Sequence, residues 1–328
     1  MKQRIYNENN LKLFSLNFHM GVNIIFFTPK VIRNKYNEYA NIIKTRLTMI
    51  KKLENKNIGI NITDMARTPH HTKDIIDIYL DAGVDPSTIT THVSAECRDK
   101  GGTRNLLCFL KDRGINNILC VSGDMTGVNV VNNYNVYDLI EMTKRDFKIA
   151  LSAYPENNRV ENYINSRNIN YSAVSQEFII NKKFKMLAES EQTNCNIFLQ
   201  HSYSQESVKN MVNLIDCTGK KYNLHTNTIP SVLPLFSPKY VLNVSGDRPV
   251  NNNLVHIPSK YLDLINIAKC AEEKNMFNTS KALNNILLDE SVMIANDFRE
   301  ISGGNVAIYD TNQLELMNKL IDYISLRS

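Results

Sequence analysis

The sequence predicts an α/β protein, a single-domain (β/α)8 TIM barrel over residues 22–328 that follows a weakly patterned lead-in over 1–21. Three observations predict it. Short apolar, β-branched runs alternate with amphipathic stretches of helical period along the chain. The 328 residues suffice for such a barrel, which runs to roughly 250 or more as one domain. Several of the apolar runs end in polar groups, and parallel α/β sheets gather their ligands at the carboxyl ends of strands.

In chain order, VNIIFF over 22–27 is the first strand, stopped by Thr28-Pro29-Lys30. Tyr36–Leu53 follows as a helix, with Tyr39, Ile42, Ile43, Leu47 and Ile50 at helical spacing. The second strand covers 58–62 and leads into Thr63-Asp64. His70-His71 open a helix over 72–82; adjacent side chains on a helix point different ways, so no shared metal is expected. Gly83-Val84-Asp85-Pro86 is a turn.

The stretch 88–124 is the most informative. A β-branched strand over 88–94 carries His92 and runs into Glu96-Cys97-Arg98-Asp99. A helix with Leu106, Leu107, Phe109 and Leu110 on one side stops at Arg113-Gly114. The fourth strand, 115–121, ends in Ser122-Gly123-Asp124. A helix then starts near Asn135, with Tyr137 in its first turn. The fifth strand, 147–153, ends in Tyr154-Pro155-Glu156. A helix over 177–191, a sixth strand over 196–199 ending in Gln200-His201, and a helix over 207–215 follow. The seventh strand is expected over 222–226, two helices over 261–298, the eighth strand over 305–309 and a closing helix over 314–324.

A net charge of +5 spread without basic blocks argues against a nucleic-acid partner. No stretch is apolar enough to span a membrane. Six cysteines without a C-x-x-C pair or metal spacing point to a reducing cytoplasm and to no metal. No G-x-G-x-x-G or P-loop supplies a phosphate cradle. The abundant asparagines read as base composition, not function.

His92, then Arg98-Asp99, a helix, and Gly114-Ile115 running to Gly123-Asp124 together resemble the methylenetetrahydrofolate reductase family. Tyr137-Asp138-Leu139, Ala153-Tyr154-Pro155-Glu156 and Gln200 extend the resemblance, which thins beyond residue 230. It implies an FAD-dependent oxidoreductase of folate one-carbon metabolism, with NAD(P)H as electron donor. Asp64, His92, Ser122, Gly123, Asp124, Tyr137 and Tyr154 would then hold the flavin, and Gln200 the folate. Asp124 would tune the cofactor. Ile25 stands where that family carries its catalytic Glu, so Glu96 is the acid to test in its place. Two alternatives stay open: flavin-independent folate-dependent one-carbon transfer, and a non-catalytic barrel that works as a partner subunit. A homo-oligomer or a partner protein is compatible with either.

Overall fold

The computed structural model describes residues 22–26, 36–53, 58–64, 69–95, 98–122, 135–155, 176–190, 192–238, 241–242, 257–311 and 313–325. The parallel strands are β1 (Val22–Phe26), β2 (Gly59–Ile62), β3 (Ile89–Ser94), β4 (Asn117–Val121), β5 (Lys148–Ala153) and β6 (Asn194–Leu199). β7 comes in two pieces, His225–Ile229 and Ser231–Val232, and β8 is Val306–Tyr309. The first piece of β7 pairs with β6 and the second with β8, while β8 pairs with β1, so the sheet closes on itself.

The closure has a countable signature. Starting at His225 and stepping across the ladder, the level positions are Asn194, Lys148, Asn117, Thr90, Asn61, Ile25 and Tyr309. The walk returns to β7 at Leu233, eight residues further along the strand it left. A shift of eight residues over eight strands is the shear of a TIM barrel, whose strands tilt by roughly 36°.

The same register sorts the inward side chains into levels of four from alternate strands. Ile25, Leu119, Ala150, Phe198, Ile229 and Ala307 form the apolar plug of the lumen. Below it, towards the amino ends of the strands, asparagines take the inward positions. Asn305 donates to Asn227 Oδ1 at 2.7 Å, and Asn227 to Asn196 Oδ1 at 3.1 Å. Each amide thereby satisfies its neighbour, as buried polar groups require. Asparagines at corresponding places in several strands thus form a hydrogen-bonded layer of the lumen.

The helices lie outside. They are α1 (Tyr36–Leu53), α2 (Pro69–Asp81), α3 (Lys100–Asp112), α4 (Val136–Thr143), α5 (Gln176–Ala188), α6 (Gln205–Lys221), α7 (Ser259–Glu273), α8 (Phe277–Ile301) and α9 (Leu314–Ser325). The main core lies between strands and helices. On α3, Leu106, Leu107 and Leu110 are buried, each worth about 1.5–3 kcal/mol of transfer free energy. Asp99 starts that helix by accepting from Gly102 N at 2.6 Å. Gly114, at φ 74°, lets the chain turn out of it.

The largest difference from the expected elements is β7. α6 runs to Lys221 and ends on Tyr222, so the strand begins three residues later than the sequence pattern suggests. Asn227 to Ile229, which resembles a loop in sequence, is the strand itself. Pro230 has no N–H for the ladder, and it falls where the strand changes partner from β6 to β8.

Candidate active site at the barrel mouth

At the top of the apolar plug, one level consists of Ile25, His92, Ser152 and Ser231, from β1, β3, β5 and β7. Thr63, Val121, Gln200 and Tyr309 continue the inward faces of the intervening strands just above. Solvent reaches this depth on one side. His92, Ser152, Val121, Gln200 and Tyr309 are partly exposed, whereas Ile25 and Ser231 are sealed at 1% exposure each. The result is a cup with an apolar floor and a polar wall, at the end of the barrel where such folds hold ligands.

Two groups in the cup stand out. His92 Nε2 and Ser231 Oγ are buried and make no hydrogen bond among the described residues. They come from β3 and β7, which face each other across the barrel. A buried polar atom without a partner costs about 1–3 kcal/mol, so water or a ligand reaching this level would satisfy both. Burial also pushes the His92 pKa down to about 4. The imidazole is therefore neutral at ordinary pH, with one nitrogen donating and the other accepting. The rim is tied to this level. His201 packs edge-on against Tyr309 with ring centroids 5.1 Å apart, and Gln200 N donates to Ala153 O at 2.9 Å.

Among the described residues, the charges near the mouth are engaged elsewhere. Asp64 takes both terminal nitrogens of Arg98, with Nη2 to Oδ1 at 2.6 Å, and also accepts from Thr72 Oγ1 and Ser94 N. Asp310 accepts from Arg46 Nε at 2.8 Å, and both side chains are buried behind β8 and β1. Lys183 on α5 is 4% exposed and donates to Ser152 O at 2.8 Å from the helix side of the sheet. No charged side chain among the described residues occupies the inward positions at the mouth. No group of three or more His, Cys, Asp or Glu able to hold a metal occurs among the described residues.

Of the residues expected from the sequence, His92 and Gln200 lie in the cup, and Tyr154 and Ser122 are partly exposed at the ends of β5 and β4. Asp64 sits behind the lumen on Arg98. Tyr137 lies on α4 under Lys182, whose Nζ is 3.9 Å from the ring centroid. Glu96, Gly123 and Asp124 lie outside the described residues. Ser152, Ser231, Asn61 and Tyr309 escaped the sequence reading. Only strand parity could have found them, and for β7 the strand had been placed too early.

No family model matches the sequence, and no curated protein matches it. Among solved structures, a dihydrodipicolinate synthase from Thermotoga maritima is 10% identical, with a TM-score of 0.37, covering 94% of this chain and 100% of that one. One from Bacillus clausii is 11% identical at a TM-score of 0.37, covering 92% and 96%. A further dihydrodipicolinate synthase is 11% identical at 0.40, covering 94% and 98%. Likenesses at this level say nothing about substrate or chemistry.

The methylenetetrahydrofolate reductase assignment is corrected, since no family model, that family's included, matches the sequence. With it fall the flavin-dependent oxidoreductase activity, the FAD and NAD(P)H cofactors and the folate one-carbon role. The molecule gives physical reasons. Ile25 is a buried apolar residue where the reaction needs an acid. The helix after β5, from which a cation would reach a flavin pyrophosphate, holds Lys183 on a backbone carbonyl and Lys182 on the Tyr137 ring.

Proposed function

We propose that this chain is an enzyme acting on a small, uncharged polar molecule, bound in the barrel mouth between His92 and Ser231. The observation that carries the reading is the pair of buried, unpartnered atoms, His92 Nε2 and Ser231 Oγ, on one level of the lumen. Hydrogen bonds from a ligand would restore what both atoms lack.

His92 would act as a neutral imidazole. Burial keeps the ring uncharged, so it can offer one N–H donor and one acceptor nitrogen to a bound molecule. Ser152, Gln200 and Tyr309 would orient the molecule from the wall. An uncharged ligand is favoured because none of the inward positions at the mouth among the described residues offers a counter-ion to a charged one. Covalent catalysis by an amine has no support at the mouth, where no inward position among the described residues is a lysine. A cytoplasmic location is supported by free thiols at Cys108, Cys120, Cys195, Cys217 and Cys270. No helix among the described residues is long and apolar enough to cross a membrane.

The test is a thermal-shift panel of neutral amides, lactams, alcohols and ketones beside carboxylates and phosphates, on the wild type and on His92→Phe. Neutral compounds should raise the wild-type Tm and leave His92→Phe unmoved. Stabilisation by anions alone, or equal shifts in both proteins, would overturn the reading.

A further inference from the structure

We infer that the protein pairs with a second copy of itself through one side of the α7–α8 helical hairpin, around Ile267, Ile286 and Met293. The inference stands apart from the reading of the mouth.

α8 has 25 residues, whereas α2, α3 and α5 have 13 each, and the excess stands above the barrel. Leu235 N, just past the end of β7, donates to Ser291 Oγ at 2.9 Å, so Ser291 lies at the level of the mouth. The buried residues of α8 are Leu287, Leu288, Ser291, Ile294, Ala295 and Phe298, and none from Phe277 to Ile286 is buried. At about 1.5 Å per residue, the helix before Ser291 reaches roughly 20 Å beyond the rim. α7 rises beside it. Its first turn stands on the rim, where Tyr261 packs against Tyr203 with ring centroids 6.4 Å apart, and Lys260 Nζ lies 3.8 Å from Glu290 Oε2. Higher up, Asn284 Nδ2 donates to Glu272 Oε1 at 3.5 Å. The two contacts fix an antiparallel pairing that puts Ile267 about level with Ile286.

The buried stripe of α7 is Tyr261, Ile265, Ala268 and Ala271. Ile267 lies roughly a quarter turn behind that stripe, and Ile286 roughly a quarter turn behind the line of Leu283 and Leu287. Because the helices run in opposite directions, both quarter turns open to the same side of the hairpin. Met293 follows Ile286 two turns down on that side. The three are 52%, 46% and 57% exposed.

Ten helical residues without burial are marginal in water, so cover on this side would supply what the upper half of α8 lacks. The edges of the face carry Lys260, Lys274 and Glu290, without the strong single sign that suits a nucleic acid or a membrane surface. A second copy brings the same apolar residues, and a two-fold contact of one face with itself closes without leaving another open. The area is sufficient. Thr279 to Met293 spans roughly 20 Å along α8, and two helices abreast are about 20 Å wide. Each copy would cover on the order of 500 Å², about 1,000 Å² over both, which is the lower bound for a specific interface.

Sedimentation velocity of the full chain across the micromolar range reads the mass directly. The expected species has twice the 37.5 kDa mass of the chain and falls to one chain on dilution. Ile286→Glu and Ile267→Glu alter half-exposed side chains and should each weaken association roughly tenfold or more. Phe178→Glu, at a residue 53% exposed on α5, should leave it unchanged. Hydrogen exchange of the wild type needs no variant: the amides of 277–286 should exchange faster as dilution separates the copies. A wild type that stays one chain at every concentration overturns the inference, whether or not another protein binds the face. A dimer that both hairpin variants leave intact, or whose separation changes exchange only outside the hairpin, overturns it as well.

Discussion

At the scale of single residues, one buried ion pair and one histidine make the sharpest predictions. Arg46 and Asp310 are 7% and 6% exposed at their side chains, and Asp310 also anchors β8 by donating its backbone N–H to Ile25 O. Removing one partner leaves a buried charge uncompensated, so Arg46→Met should lose about 3–5 kcal/mol in chemical denaturation. Burial raises the Asp310 carboxyl pKa even against the opposing pull of Arg46. Without the guanidinium it should rise further, so the Arg46→Met deficit should shrink as pH falls and Asp310 takes up a proton. A deficit that stays constant down to pH 4 would contradict this account. His92 works with the opposite sign. Its folded pKa, about 4, lies below the ordinary 6.5, so the unfolded chain takes up the proton first. Its contribution is complete above about pH 6.5 and is lost as pH falls towards 4, by at most about 1.4 kcal/mol per pH unit. Since Nε2 has no partner, His92→Phe should fold at least as stably as the wild type near neutrality, as expected where a site is kept at the expense of stability. A large loss of Tm in that variant would show that His92 is a structural residue.

At the scale of elements, glycines report how closely α6 meets β7. A Cβ on Gly219 would stand 2.7 Å from Thr226 Cγ2 and 3.0 Å from Leu224 O. Gly219→Ala should therefore destabilise by about 1–3 kcal/mol in denaturant, through overpacking. Gly101, in the first turn of α3, has only Asp99 Oδ1 near, at 3.5 Å. Gly101→Ala should gain up to about 1 kcal/mol in the same measurement, from helix propensity. The contrast also explains what sequence reasoning could see. β3, β4 and the end of α3 were legible to within two residues, because Gly114 ends the helix and both strands are β-branched or apolar. β7 was not legible. Its His225-Thr226-Asn227-Thr228 run is polar on the inward side, where neighbouring asparagines satisfy it. The sequence signal for a buried strand is a run of apolar residues, and here a hydrogen-bonded polar ladder takes its place.

At the scale of the whole molecule, the register makes the site. His92, Ser152, Ser231 and Tyr309 lie far apart in the sequence, and only closure with a shift of eight brings them to one end of the lumen. Sequence patterns named the barrel and the strand-end His92 and Gln200. They could not name Ser231, because a lone Ser inside a strand carries no local mark of facing a mouth. The family resemblance failed for a related reason. Strand-end signatures such as Gly123-Asp124 record a barrel's local grammar, whereas the reaction depends on which inward positions are acid, amide or apolar, and Ile25 is apolar. The most direct test of the mouth as the ligand site is the side-chain NMR spectrum of the seven histidines, followed while neutral amides, lactams, alcohols and ketones are added at pH 7. The account predicts that His92 is a neutral imidazole whose ring signals move first and furthest. A His92 that titrates near 6.5 and stays still, while every compound leaves the mouth untouched, would contradict it.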